Sequence, residues 1–461
     1  MDYNNNLQEL KKFLEIKEGK LGLTHNLAKR APLLPFKTRF RERPQFTRGF
    51  DGVLGEFVRL VSETTLNKNI DIDFVIANII NSVTLNEEDK PYFEKLLKLF
   101  LLDQHHSFKV FHPHIFQYFS PTEGDQGKGE LEIALFIRDI LIVNGEDNIK
   151  AFFQKGDSTH IISKLILDQL NYLDYKKKDK KYIGKIPVIS QHFTDDLKYL
   201  LNHKEYLTEN FSLFLSYYYF FYITQFTLKL SQQTRANLNN INEVYYTLDW
   251  EGTSKSRIST SKGYQLIKSS ASNLLIYANT LEHLNFIFGT IGLTLPELEE
   301  LFISKTKAEQ ETILATIQEW VKEYRFLLEL PELDRYPYDY QGLTDLLFES
   351  IDYVHAVLPT KQGTKSRYAL YLEEIGKRYF LKTRGSLGYM LNITQDLLLL
   401  LTAVCVKDER KSLKNVFKEL ENRGVFLDRY SQDAVVHLFD KLNLLDKKSD
   451  SGDAQYVKPI L

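Results

Sequence analysis

Between Lys29 and Arg48 the sequence places seven cations: Lys29, Arg30, Lys37, Arg39, Arg41, Arg43 and Arg48. One acid, Glu42, opposes them, so the local charge is +6. Pro32, Pro35 and Pro44 prevent a continuous helix here, and Phe36, Phe40, Phe46 and Phe50 are interleaved. Guanidinium forks match phosphate oxygens and aromatic rings stack on bases, which is the chemistry of a nucleic-acid arm. An arm docked on an acidic patch of its own fold or of a partner has the same composition. A second positive stretch holds Lys361, Lys365, Arg367, Lys377, Arg378, Lys382 and Arg384, offset by Glu373 and Glu374. It would extend a phosphate track if it lay beside the arm. A lysine run, Lys176–Lys178 with Lys180, Lys181 and Lys185, reads as solvated surface.

Catalytic chemistry is harder to find. His105, His106, His112 and His114 cluster near Asp103, but no spacing matches a zinc signature and no Cys joins them. The glycine-rich stretch Gly124–Gly129 superficially resembles a phosphate loop, yet its glycines are too close and no Ser or Thr follows Lys128. Asp174-Tyr-Lys176 is a fragment of a carboxylate-x-Lys nuclease pattern, and the serines of 253–261 lack a partnered His and Asp. Cys405, the single cysteine, sits in the apolar run Leu397–Val406, so it reads as core and no intrachain disulfide is possible. No catalytic residue, metal ligand or cofactor site is assigned.

The elements that must position these residues are helical. Ile313, Ile317, Trp320, Val321, Tyr324, Leu327 and Leu328 recur at spacings of three and four, which predicts a helix from Thr306 to Leu330. Thr306/Glu309, Thr294/Glu297 and Thr84/Glu87 have the capping-box spacing. Amphipathic segments cover Leu7–Ile16, Val53–Val61, Leu131–Val143, Ile161–Leu173, Leu266–Phe288, Leu343–Val357 and Tyr368–Phe380. Loops are expected at 121–129, 176–187, 249–263, 331–342 and 359–366. From Asn210 to Leu228 no residue is charged, and six aromatics run from Tyr217 to Tyr222. Ser212, Ser216, Thr224, Gln225 and Thr227 argue against a membrane span, leaving a buried helix or a subunit interface, where Tyr217, Tyr218, Tyr219 and Tyr222 are the candidate contacts. No membrane contact is expected, and the N-terminus has no leader pattern, so a cytoplasmic chain is the expectation.

From about Asn392 the pattern changes. Helices are expected at Thr394–Val406, Ser412–Asn422 and Ser431–Leu442, with a short extended piece at Val425–Asp428. Two strands follow around a hairpin carrying Gly452. This is the outline of a winged helix. Its third helix offers Gln432, Asp433, His437, Asp440 and Lys441, and the acids argue for a protein-binding module over base reading. The fold class is therefore mainly α, a multi-helical body with a C-terminal winged-helix-like module. The expected division is 1–120 with the arm at 29–50, then 121–391, then 392–461.

Four segments carry a family likeness: Arg30-Ala-Pro-Leu-Leu-Pro-Phe-Lys37, Arg48-Gly-Phe-Asp-Gly-Val-Leu-Gly-Glu56, Thr383-Arg-Gly-Ser-Leu-Gly-Tyr389 and Lys448-Ser-Asp-Ser-Gly-Asp-Ala-Gln-Tyr-Val-Lys458. The chain resembles the DNA phosphorothioation-dependent restriction protein DptG (DndG) family over most of its length. The resemblance implies a non-catalytic subunit of an anti-phage restriction complex, bridging two companion ATPase subunits and contacting duplex DNA. It transfers no catalytic residue. Two rival readings remain: a metal-dependent nuclease subunit whose site only the fold assembles, and a protein scaffold without DNA contact.

The chain has 461 residues and a net charge of −2, from 59 Lys+Arg against 61 Asp+Glu. This excludes a globally basic nucleic-acid binder. It is compatible with separated faces, because acids such as Glu297, Glu299, Glu300, Glu329, Glu332, Asp334 and Asp339 cancel the arm.

Overall fold

A computed structural model describes residues 3–16, 33–37, 39–67, 70–102, 109–143, 145–156, 160–357, 363–447 and 455–461. Lys29, Arg30, Lys361, the histidine pair 105–106 and the hairpin tip 448–454 lie outside the described residues. Among those described the chain is mainly helical.

The N-terminal third supplies α1 (Tyr3–Phe13), a 3-10 turn (Phe40–Glu42), α2 (Asp51–Ser62), β1 (Thr64–Leu66), α3 (Ile72–Ser82), α4 (Lys90–Leu101), α5 (Asp125–Leu141), α6 (Glu146–Phe153), α7 (Ile161–Gln169) and β2 (Leu173–Tyr175). The middle supplies α8 (Pro187–Leu200), α9 (Lys204–Gln232), β3 (Tyr245–Leu248), α10 (Ile258–Ser261), α11 (Tyr264–Ala271), α12 (Leu274–Phe288), α13 (Leu295–Ile303), α14 (Lys307–Leu327), α15 (Tyr340–Val357) and α16 (Thr364–Tyr379). The end supplies β4 (Leu381–Thr383), β5 (Tyr389–Ile393), α17 (Gln395–Val406), β6 (Lys411–Ser412), α18 (Leu413–Asn422), β7 (Phe426–Leu427), α19 (Arg429–Lys441), β8 (Leu445–Lys447) and β9 (Gln455–Val457).

The helix α9 is the axis of the molecule. It has 29 residues and is buried all round from Phe214 to Leu230. A helix apolar on every face must be enclosed on every face, and here α2, α8, α11, α12, α16 and α17 enclose it. Among the described residues no helix is long and apolar enough to cross a membrane. One apolar cluster runs from Tyr3 to Val457, so neither expected boundary, 120/121 or 391/392, falls at a gap in the core. A smaller cluster joins α3, α4 and α7 through Ile76, Leu97, Tyr118 and Ile166.

Among the described residues three small sheets tie distant segments together. β1 and β2 pair antiparallel, Thr64 facing Tyr175. A four-stranded sheet has the order β4-β5-β3-β7, in which β3 is parallel to both β5 and β7. An antiparallel sheet has the order β6-β9-β8. The mixed sheet departs from the expected pattern: its strands are two to five residues long, too short for a period-two alternation to register.

The capping boxes at Thr306/Glu309 and Thr294/Glu297 form. The one at Thr84/Glu87 does not: α4 starts only at Lys90, and Glu87 pairs with Lys90 instead. The expected loop at 121–129 is half helix, since α5 begins at Asp125. The segment Leu266–Phe288 is two helices, broken at Ser272–Asn273. The third C-terminal helix starts two residues early, because Asp428, not Ser431, is its cap and accepts from Ser431 N at 3.0 Å.

Candidate nucleic-acid interface

The arm is held by its apolar residues. Leu33, Leu34, Phe36, Phe46 and Phe50 are buried. Phe36 stacks on Tyr371 at 4.7 Å and meets Tyr368 edge-on at 5.4 Å. Phe46 stacks on Phe50, which lies against Tyr219 of α9. The Tyr371 hydroxyl donates to Glu42 O at 3.2 Å. On the other side, Gly129 of α5 lets the chain pass: a Cβ there would sit 2.0 Å from Glu42 O. The rings expected to stack on bases are therefore turned inward wherever their side chains are described.

The same contacts carry the arm to the second positive stretch, more than 300 residues away. Arg43 Nη1 donates to Arg367 O, and its Nη2 lies 3.4 Å from the Glu374 carboxylate. A Cβ on Gly49 would fall 2.8 Å from the Tyr379 hydroxyl and 3.8 Å from Arg378 Nη2. The part of this stretch in α16, from Arg367 to Tyr379, lies beside the arm.

The candidate cations separate into two groups. Arg39, Arg41, Arg48, Arg367 and Arg378 are exposed, and Lys37 is half-buried. Arg39 faces Glu42 at 3.4 Å, Arg48 donates to Ser120 O, Arg378 lies over the Tyr379 ring and Arg367 Nε donates to Gly363 O. Two others are withdrawn. Arg43 is buried and bolts the arm to α16. Arg384 donates to Leu248 O, Glu251 O and Asn392 Oδ1, so it clasps the ends of β3 and β5. Lys382 is paired with Asp249 and Lys365 with Asp352.

Two lysines join the face that composition alone sets aside. Lys128 stands in the first turn of α5 and bonds Asp125 at 2.6 Å. That bond, helped by the charges of Arg41 and Arg39, holds the Asp125 carboxyl below its usual range. Lys181 bonds Glu132. Burial pushes the Glu132 carboxyl up, but Lys181, the Tyr182 hydroxyl and the charge of Lys37 outweigh it, and the group lies below its usual range. The face thus gathers Lys37, Arg39, Arg41, Arg48, Lys128, Lys181, Arg367 and Arg378, with Glu42, Asp125 and Glu132 among them. In the sequence Lys128 reads only as part of a failed phosphate loop, and Lys181 as one of a solvated run.

The tyrosines of α9 are not a partner surface. Tyr217, Tyr218 and Tyr219 are 0% exposed and Tyr222 is 1% exposed. Tyr217 donates to Arg423 O at 2.5 Å, Tyr218 donates to Asp196 Oδ2 at 2.5 Å, and Tyr222 accepts from Lys185 N at 2.6 Å. Arg423 closes a bidentate pair with Asp196 at 2.6 and 2.7 Å, joining α18 to α8. Burial pushes all four phenols up. They fill and wire the core.

The histidines and the cysteine singled out in the sequence are taken up in the fold. His114 is buried, its Nδ1 2.9 Å from Phe153 O, and His112 Nδ1 accepts from His114 N. Burial lowers both imidazoles. Among the described residues no cluster of His, Cys, Asp and Glu could hold a metal. Burial pushes the Cys405 thiol up to about 12, so no thiolate is available for attack. On α19 the exposed residues are Arg429, Tyr430, Asp433, His437, Asp440 and Lys441, while Gln432 is half-buried and donates to Leu427 O.

No family model matches the chain, and no curated protein matches it.

Proposed function

We propose that this chain is a non-catalytic, DNA-contacting subunit of a phosphorothioation-dependent restriction complex that bridges companion ATPases. The family resemblance supplies the system. The observation that carries the DNA contact is the meeting of the arm with α5 and α16, which, with Lys181, gathers cations from four separate stretches of sequence. Phe36, Phe46 and Phe50 are turned inward while Arg39, Arg41 and Arg48 are exposed, so contact would be to phosphates and insensitive to sequence.

The last seventy residues support a winged-helix reading. The helices α17, α18 and α19 precede a hairpin, and the first short strand, β6, pairs with the last, β9. With Asp433 and Asp440 on the outer side of α19, this unit suits a protein partner, such as an ATPase, better than a base edge.

Replacing Arg39, Arg41 and Arg48 together with Ala should lower the salt slope of DNA binding by about 0.9 for each phosphate no longer neutralised. A slope and affinity unchanged in that variant would overturn the proposed DNA surface. The scaffold reading has one observation in its favour, the docking of Arg43 on Glu374 of the chain's own fold. It predicts no mobility shift even at low salt, with a stable complex to a companion ATPase.

A further inference from the structure

The lysine run at 176–181 is held in place by buried charge. Arg138 of α5 donates from Nη1 to Lys178 O at 2.8 Å and from Nη2 to Asp179 O at 2.9 Å. Asp139 Oδ2 accepts from Lys181 N at 2.7 Å and from Tyr182 N at 3.0 Å. These two holders pair with each other at 2.6 Å, their side chains 7% and 0% exposed. At the other end Lys176 N donates to Glu63 O at 2.8 Å, continuing the pairing of β2 with β1. Ordering a surface loop costs conformational entropy, and burying an ion pair costs desolvation. Both costs are met here for a segment whose outward groups are lysines: Lys176, Lys177, Lys180 and Lys181 are exposed and Lys178 is half-buried. Within the run one acid, Asp179, opposes these five, so its charge is +4.

Where the run lies matters as much as its charge. Asp125, Lys128, Glu132, Leu135 and Asp139 recur at spacings of three and four along α5, so they share one face. The arm meets the start of this stripe: the charges of Arg41 and Arg39 act on Asp125, and Glu42 passes against Gly129. The lysine run covers the rest, with Lys181 bonded to Glu132 in the middle and the 181–182 amides bonded to Asp139 at the end. From Asp125 to Asp139 the helix rises about 21 Å, the length of about six base pairs of duplex. The acids along the line are occupied: Asp125 by Lys128, Glu132 by Lys181, Asp139 by Arg138, and Glu63 beyond them by Lys150 and Lys177. Burial holds the Lys178 amine below its usual range; Glu56 opposes this, while Lys176, Arg59 and Arg138 push the same way. An anion bound outside would relieve that crowding of cations.

We infer that the run continues the cationic face of the arm into one track along α5, which holds the backbone of a single duplex. The inference rests on the DNA reading above and extends it by three lysines, Lys176, Lys177 and Lys180, that the face of the arm does not include. A track laid along one helix suits a stiff partner, and duplex DNA is stiff over about 150 base pairs. A lysine is a point charge on a flexible stem and reads no base, so the added contacts strengthen binding to every sequence alike. Tyr175, 74% exposed, stands beside Lys176. A ring there can stack on an unpaired base, so a single strand is the rival occupant.

The test measures salt slopes of binding by the full chain to a duplex of about 24 base pairs and to a single strand of the same length. Lys176→Ala/Lys177→Ala/Lys180→Ala should lower the duplex slope by about 0.9 for each phosphate released, about 2.7 at most. It should unfold at the unaltered denaturant concentration, because the backbone bonds to Arg138 and Asp139 remain. Arg39→Ala/Arg41→Ala/Arg48→Ala should lower the slope as well, and the unaltered chain should take up one duplex. A reduction in the arginine variant alone overturns the track and leaves the DNA face of the arm standing. A reduction in the lysine variant alone, or two duplexes bound per chain, separates the run from the arm and overturns the track. No reduction in either variant, or no binding at low salt, overturns the DNA reading and the track with it. A single strand bound more tightly than the duplex, or a loss in Tyr175→Ala as large as in the lysine variant, overturns the duplex as partner.

Discussion

The arm at 33–50 and the helix α19 are both places where the sequence allows nucleic-acid contact, and they are built differently. The arm is anchored by carbon: Leu33, Leu34, Phe36, Phe46 and Phe50 go inward, and a single arginine, Arg43, is used as a bolt. Arg39, Arg41 and Arg48 are left facing solvent. The C-terminal unit shares the apolar core through α17 and adds buried ion pairs to it. Arg423 is taken up by Asp196 and Glu419, and Arg257 of the body by Asp428 and Glu251. What remains on the outside of α19 is balanced, Arg429 and Lys441 against Asp433 and Asp440. The arm's surface keeps a net positive charge, and that of α19 does not.

The largest effect should come from the side with the buried ion pairs. Arg423 and Asp196 are both buried, at 4% and 0% side-chain exposure. Arg423→Ala leaves Asp196 without its counter-charge, with only the Tyr218 hydroxyl still bonded to it. Breaking a buried pair from one side costs about 3–5 kcal/mol, and denaturant unfolding would read it. Cys405 gives a local report, since it is buried beside this network and inert. In Arg423→Ala it should react with a thiol reagent well before global unfolding. Loss of stability without earlier thiol labelling would mean that the C-terminal unit is not held by these ion pairs, and the comparison would fail on that side.

A smaller effect tests the carbon-anchored side. Gly129→Ala places a methyl 2.0 Å from the backbone oxygen of Glu42, and backbone cannot swing away as a side chain can. Overpacking of this kind costs about 1–3 kcal/mol. The arm should shift off α5 while the core around α9 persists, so proteolysis near residues 39–48 should accelerate before the rest of the chain is cut. DNA affinity should fall with it if the cations act as one face. An arm displaced with no change in affinity would separate anchoring from binding.

How far the sequence reaches differs along the same lines. The long helices are readable because their apolar residues repeat over many turns; α14 needs only Ile313, Ile317, Trp320, Val321 and Tyr324. The three C-terminal helices are readable within two residues for the same reason. The mixed sheet is not, since β3 finds its partners β5 and β7 more than 140 and 170 residues later, a pairing no local pattern encodes. Within the site, composition finds the arginines but not their directions. Arg43 and Arg41 are two residues apart and look alike in sequence; only the meeting with Glu374 buries one of them. The tyrosines of α9 mislead because a helix enclosed on all sides and a helix at an interface have the same composition.

The smallest effect is the most discriminating. Asp433 and Asp440 are exposed on α19. Replacing both with Asn removes two negative charges and leaves the fold alone, within about 0.5 kcal/mol per site. If the arm is the phosphate surface and α19 faces protein, DNA affinity should stay the same and the salt slope should not steepen. If α19 lay along a phosphate backbone, relieving two repulsive contacts would strengthen binding and let Arg429 and Lys441 act on the phosphates. Running Asp433→Asn/Asp440→Asn beside Arg39→Ala/Arg41→Ala/Arg48→Ala under one salt series decides between these geometries. Balanced charge on α19 is then either the mark of a protein-facing helix or a mask over a second DNA contact, and only a change in slope can separate the two.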